Sequence, residues 1–94
     1  MTFPNPRELT LPMIHMNGSS AASLAAAYKK AFDASRALEE AMQEIDHNQR
    51  DYYPIGPVAW GKARLEFISA LNSVQLVKDY LQLHYYHCKE RTRP

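Results

Sequence analysis

Cysteine, glycine and net charge are all scarce in this chain. Cys88 is the one cysteine in 94 residues, so no intrachain disulfide can form and a reducing compartment is expected. There are three glycines, and none opens the Gly-Lys-Ser/Thr run of a phosphate-binding P-loop. Eleven Lys and Arg against ten Asp and Glu leave a formal charge of +1. That balance lacks the one-signed field that draws proteins to nucleic acid or anionic lipid, so nucleic acid is disfavoured as a partner. No segment approaches the ~20 apolar residues of a membrane span. The opening residues Met1 to Glu8 show no apolar signal-peptide core, so no membrane partner and a cytoplasmic location are expected.

What is present is a folding composition. Hydrophobic residues make up 46%, with six tyrosines, which is not the profile of a disordered chain. A chain this short forms one domain and buries only roughly 60–65% of its unfolded surface, too little to enclose a large active site in one copy.

The segment 1–18 reads as an extended arm, because Pro4, Pro6 and Pro12 exclude helix interior. Leu9 to Met16 is too apolar for a free tail and is expected to dock on its own hairpin or on a neighbour. Ser19 or Ser20 then caps a helix running to about His47, free of Pro and Gly. Leu24, Ala31, Leu38 and Ile45 recur every seven residues with Ala27, Ala34 and Ala41 between them. This stripe is expected to face a partner helix at close approach. Residues 48–56 form the connection, and Pro57 opens a second helix to about Glu90. On that helix Trp60, Phe67, Val74, Leu81 and Cys88 keep the seven-residue spacing, with Ala63, Ala70, Val77 and His84 beside them. The fold class is therefore all-α: an antiparallel hairpin of two long helices with an N-terminal arm. A second apolar strip, Leu65, Ile68, Leu76 and Leu83, cannot be covered by the same hairpin. Such a strip marks an interface, so the chain is expected to assemble with itself into a helical-bundle homo-oligomer, a dimer or higher.

Two segments carry candidate binding chemistry. Arg50-Asp51-Tyr52-Tyr53-Pro54-Ile55-Gly56-Pro57 sets a guanidinium and two aromatic rings on a rigid turn feeding a helix. Arg50 suits a phosphate and the rings of Tyr52 and Tyr53 suit a flat base, although the same residues can simply close the end of a bundle. His15-Met16-Asn17-Gly18-Ser19-Ser20 presents hydroxyls and free amides at a helix start, which suits an anion but equally an ordinary serine cap. Within one hairpin these segments lie at opposite ends, and only an antiparallel neighbour or a folded-back arm brings them together. Glu44-Ile45-Asp46-His47 has the spacing of a di-iron motif without the further glutamates it needs. His84, His87 and Cys88 have metal-ligand types without a second pair, and on the a/d stripe a packed imidazole and a small buried thiol are the commoner explanation. No resident cofactor and no metal is expected. On a continuous helix Cys88 and His84 lack an oxyanion hole, so the chain is not expected to be an enzyme.

At these two segments the sequence resembles a family of small uncharacterised bacteriophage and prophage proteins. The family pattern opens His-x-Asn-Gly-Thr/Ser-Ser before an alanine-rich helix, matched by His15, Asn17, Gly18, Ser19 and Ser20. It continues Asn-x-Arg-Asp-Tyr-Tyr-Pro-x-Gly-Pro-x-Ala-Trp/Phe, matched by Asn48, Arg50 to Pro54, Gly56, Pro57, Ala59 and Trp60. The segment from Leu76 to Cys88 departs from the pattern, which is more acidic and alanine-rich there. The resemblance implies phage origin, where short non-enzymatic proteins often trap a nucleotide-derived immune signal or block a host protein. Two functions are therefore expected: counter-defence sequestration of a small phosphorylated, nucleotide-like ligand by Arg50, Tyr52, Tyr53, His15, Asn17, Ser19 and Ser20 at sites shared between subunits, or a protein–protein module meeting a host protein through Leu65, Ile68, Leu76 and Leu83.

Overall fold

The computed structural model describes residues 8–15 and 18–92. Helix α1 spans Ala21–Gln43 and helix α2 spans Pro57–Glu90, joined through a short 3-10 helix at Gln49–Ile55. No strand occurs among the described residues. Ser20 starts α1: its hydroxyl accepts from the Ser23 amide at 3.1 Å, while the Ser23 hydroxyl donates back to the Ser20 carbonyl at 3.1 Å. The α-helical pattern ends at Gln43, short of His47, because the chain tightens there: the Ile45 amide bonds the Met42 carbonyl and the His47 amide bonds the Ile45 carbonyl. Asn48 then restarts helical structure, its side-chain oxygen accepting from the Arg50 amide at 2.9 Å. The connection is thus itself helical, with Pro54 inside it. Gly56, at φ +98°, links it to Pro57 at the first turn of α2.

The helices pack against one another, but through a different face of α1 than the alanine repeat predicts. Ala21, Ala25 and Ser35 are buried, and Tyr28, Phe32, Glu39 and Met42 are half-buried. Ala27, Ala31, Ala34, Leu38, Ala41 and Ile45 are all exposed. The two stripes lie roughly 100° apart on a helix of 3.6 residues per turn. The aromatic stripe wins the inner position because Tyr28 and Phe32 remove far more area from water than alanine methyls can. On α2 the expected stripe does face inward: Trp60, Ala63, Phe67, Val74, Val77 and Leu81 are half-buried, and His84 and Cys88 are buried, although Ala70 is exposed. Among the described residues one ion pair crosses the hairpin, Lys78 Nζ lying 3.1 Å from both carboxylate oxygens of Glu39.

The arm docks on its own hairpin, at the end away from the turn. Nε2 of His87 lies 2.6 Å from the Pro12 carbonyl, and Nε2 of His84 lies 3.3 Å from that of Thr10. The molecule is a single helical layer of 61 × 24 × 17 Å. Among the described residues the buried apolar core is confined to Ala21, Ala25 and Cys88. The exposed surface is 7368 Å², where a compact monomer of 10.8 kDa exposes roughly 5,500 Å².

Candidate functional site

The turn is built around His47. Its ring stacks on Phe67 with centroids 4.6 Å apart and packs against Trp60 at 5.0 Å and the edge of Tyr52 at 5.8 Å. Tyr52 also meets Trp60 at 5.7 Å, so it is an internal brace that stiffens the turn. Tyr53, by contrast, is 62% exposed. Arg50 points outward as well. Its Nε donates to the Asn48 side-chain oxygen at 3.3 Å, which orients the guanidinium, and one terminal nitrogen lies 3.9 Å from Asp46. That exposed pair is long and contributes little to stability. The turn therefore presents one exposed aromatic ring, Tyr53, and one cation, Arg50, the latter oriented by Asn48.

Beside it lies a hollow of about 500 Å³ floored by Phe67, Ala63 and Ala59 and bounded by Ile45, Tyr52 and Ile55, with Lys62 and Glu66 at its edge. The sequence reading missed this hollow. Its signal was Ile45, which the heptad pattern assigned to the helix–helix seam, although it is 55% exposed. Glu44 and His47 do not form a metal face, since the imidazole is engaged by three rings. No cluster of three His, Cys, Asp or Glu side chains positioned for a metal occurs among the described residues.

The second candidate segment sits at the other end of α1, about 35 Å away by helix rise. His15 closes a turn through its carbonyl and the Gly18 amide at 3.2 Å, and its ring covers Gly18. A Cβ added there would lie 2.8 Å from the imidazole Nε2, so the exposed His15 ring would have to swing aside. Ser19 and Ser20 are exposed, and the Ser20 oxygen caps the helix. Asn17 lies outside the described residues. The structure thus brings Arg50, Tyr52 and Tyr53 together at one end and His15, Ser19 and Ser20 at the other, and within one chain the two sets do not meet.

The cluster on the last turns of α2 is structural in its contacts. The His84 ring is 2% exposed and packs between Tyr28 and Tyr80, with Nδ1 3.0 Å from the Tyr80 carbonyl. Cys88 is fully buried. Burial, reinforced by Tyr80 and Cys88, raises the Tyr28 phenol above its ordinary value of 10.0. The outer strip of α2 is uncovered: Leu65 is 70% exposed, Ile68 41%, Leu76 45% and Leu83 38%. No described helix is long and apolar enough to cross a membrane. Compared with known proteins, the chain matches no family model, no curated protein and no solved structure.

Proposed function

We propose that this chain is a non-enzymatic, self-assembling helical protein that holds a small phosphorylated, nucleotide-like ligand at sites shared between subunits. One observation carries the reading. Arg50 and Tyr53 are presented outward by a braced turn, the exposed hydroxyls of Ser19 and Ser20 sit at the far end, and the helices between them leave apolar faces uncovered. An antiparallel neighbour covers apolar surface and sets the two polar ends side by side in one step. In this reading Arg50 and the α1 start hold phosphate, Tyr53 stacks on the base, Tyr52 braces the turn, and His15 and Asn17 complete the polar set. The resemblance of both motifs to the phage family supports a counter-defence role, the bound signal being withheld from a host receptor in the bacterial cytoplasm.

Native mass spectrometry of the bacterially expressed chain, with and without cyclic and linear nucleotides, tests this directly. The expected result is a discrete oligomer carrying nucleotide-sized mass. Arg50→Ala and Tyr53→Ala should each weaken binding about tenfold or more, as loss of a charge-assisted phosphate contact or a stacking face does. Unchanged binding in both variants removes the assigned roles.

A second reading is favoured by the exposure of Leu65, Ile68, Leu76 and Leu83. Here the α2 strip docks on a host protein and the turn only shapes the bundle end. Leu65→Glu with Leu76→Glu should then abolish host binding while the helical content is retained.

A further inference from the structure

We infer that two copies of this chain pack through the outward alanine stripe of α1, antiparallel about a two-fold axis passing near Leu38. The inference rests on the self-assembly part of the function proposed above and adds the surface and its register. The need for a partner is read from area. The chain exposes 7368 Å², roughly 1,800 Å² more than a compact monomer of its mass, whereas each partner in a standard interface covers only about 800 Å². A second copy can therefore bury a full interface and still leave surface for further contacts.

Composition selects the α1 stripe over the α2 strip. Ala27, Ala31, Ala34, Leu38 and Ala41 are exposed and form a continuous line over about four turns of α1 with no polar residue in it, and the exposed Ile45 follows just past the helix end. Alanine methyls let two helix backbones approach closely, and long contact along both helices results. The outer leucines of α2 belong to broken lines. Leu76 and Leu83 share theirs with Lys62, Ser69 and Glu90, and packing along it would bury charge without a partner.

Charge selects the direction. Lys30 and Glu44, one residue before Ala31 and Ile45, flank the same edge of the stripe, and neither enters an ion pair within the chain among the described residues. An antiparallel pair sets Lys30 of each copy alongside Glu44 of the other, twice. In a parallel pair the same edge of each helix falls on opposite sides of the seam, so Lys30 and Glu44 gain no such partners.

Shape agrees with that direction. The 500 Å³ hollow lies at the turn end of the stripe, against Ile45. At the opposite end the bulky apolar residue is Leu24. With Leu38 near the axis, Ile45 of one copy is level with Ala31 of the other, and the second copy's Leu24 reaches the hollow. The same register places the turn bearing Arg50 and Tyr53 beside the second copy's α1 start at Ser20.

Sedimentation velocity and thiol crosslinking of the full chain test the seam. The parent should sediment as a dimer or a multiple of one. Ala34→Glu should raise the dissociation constant by more than about tenfold, since it sets carboxylates in an apolar seam. It should keep its helical circular dichroism, because Ala34 is exposed within the hairpin. Ala26→Glu, exposed on the other side of α1, should assemble like the parent. Under mild oxidation the Leu38→Cys variant should form a symmetric disulfide dimer and the Ala27→Cys variant should not. A parent that stays monomeric, an Ala34→Glu variant that assembles like the parent, or crosslinking at position 27 as readily as at 38 each overturns the inference. A dimer with this seam but no bound nucleotide leaves the seam standing and removes the ligand reading. Nucleotide binding by an assembly indifferent to Ala34→Glu does the reverse.

Discussion

His84 joins both helices and the arm. Its two ring nitrogens face the carbonyls of Tyr80 and Thr10, and its faces meet Tyr28 and Tyr80. His84→Ala therefore removes both a packed ring and one of the two imidazole contacts that hold the arm. The expected loss is about 2–4 kcal/mol, read from the urea midpoint, with the arm becoming protease-sensitive. Cys88 lies beside it and is sealed from solvent, so native protein should react with a thiol reagent only as fast as it opens, and fully in denaturant. Tyr28 gives a pH prediction. Its folded-state pKa is raised, mainly by burial, so its contribution to stability is fully present below pH 10.0 and is lost as pH rises through the higher folded value. Absorbance titration should show one tyrosine ionising after the others, and Tyr28→Phe should remove that late step. The sequence placed His84 and Cys88 on the inward stripe by spacing alone. It did not reveal that His84 and His87 hold the arm, because those contacts join residues more than seventy positions apart.

At the scale of elements, the hairpin depends on its connection. Gly56 sits at φ +98° and ψ 164°, a region essentially reserved for glycine that costs an L side chain roughly 1–3 kcal/mol, while open space surrounds its Cβ position. Gly56→Ala should therefore destabilise by about that amount through the backbone alone, measured by thermal or urea unfolding. The helices are also held in register by the half-buried Lys78–Glu39 pair. Glu39→Ala leaves the Lys78 ammonium partly desolvated and unpartnered and should cost more than the double change Glu39→Leu with Lys78→Met, which removes both charges. The same comparison shows why an ion pair at an inner position escapes heptad counting: Glu39 lies on the inward stripe of α1 yet reads as a surface charge until Lys78 is brought opposite.

The whole molecule is one layer thick and has almost no enclosed core. Two helices alone cannot cover the aromatic stripe of α1, its alanine stripe and the leucines of α2 together. Stability should therefore depend on protein concentration, with the melting temperature rising on concentration and the Ala34→Glu variant losing that dependence. A melting temperature flat over a hundredfold range of concentration would show that the isolated hairpin is already the stable unit.

Helix content, the break at Pro54–Gly56–Pro57 and the hairpin arrangement were legible in the sequence because each rests on local chemistry: proline geometry, serine capping and seven-residue spacing. The inward face of α2 was legible for the same reason, since its aromatic and branched residues Trp60, Phe67, Val74 and Leu81 keep one seven-residue line. Helix α1 carries two apolar lines, and local spacing cannot choose between them. Only tertiary packing decides, because Tyr28 can reach the ring of His84 from one line and not from the other. That choice turns the alanines outward, whereas the separation of the two candidate binding segments follows from the length of α1 whichever face is inward.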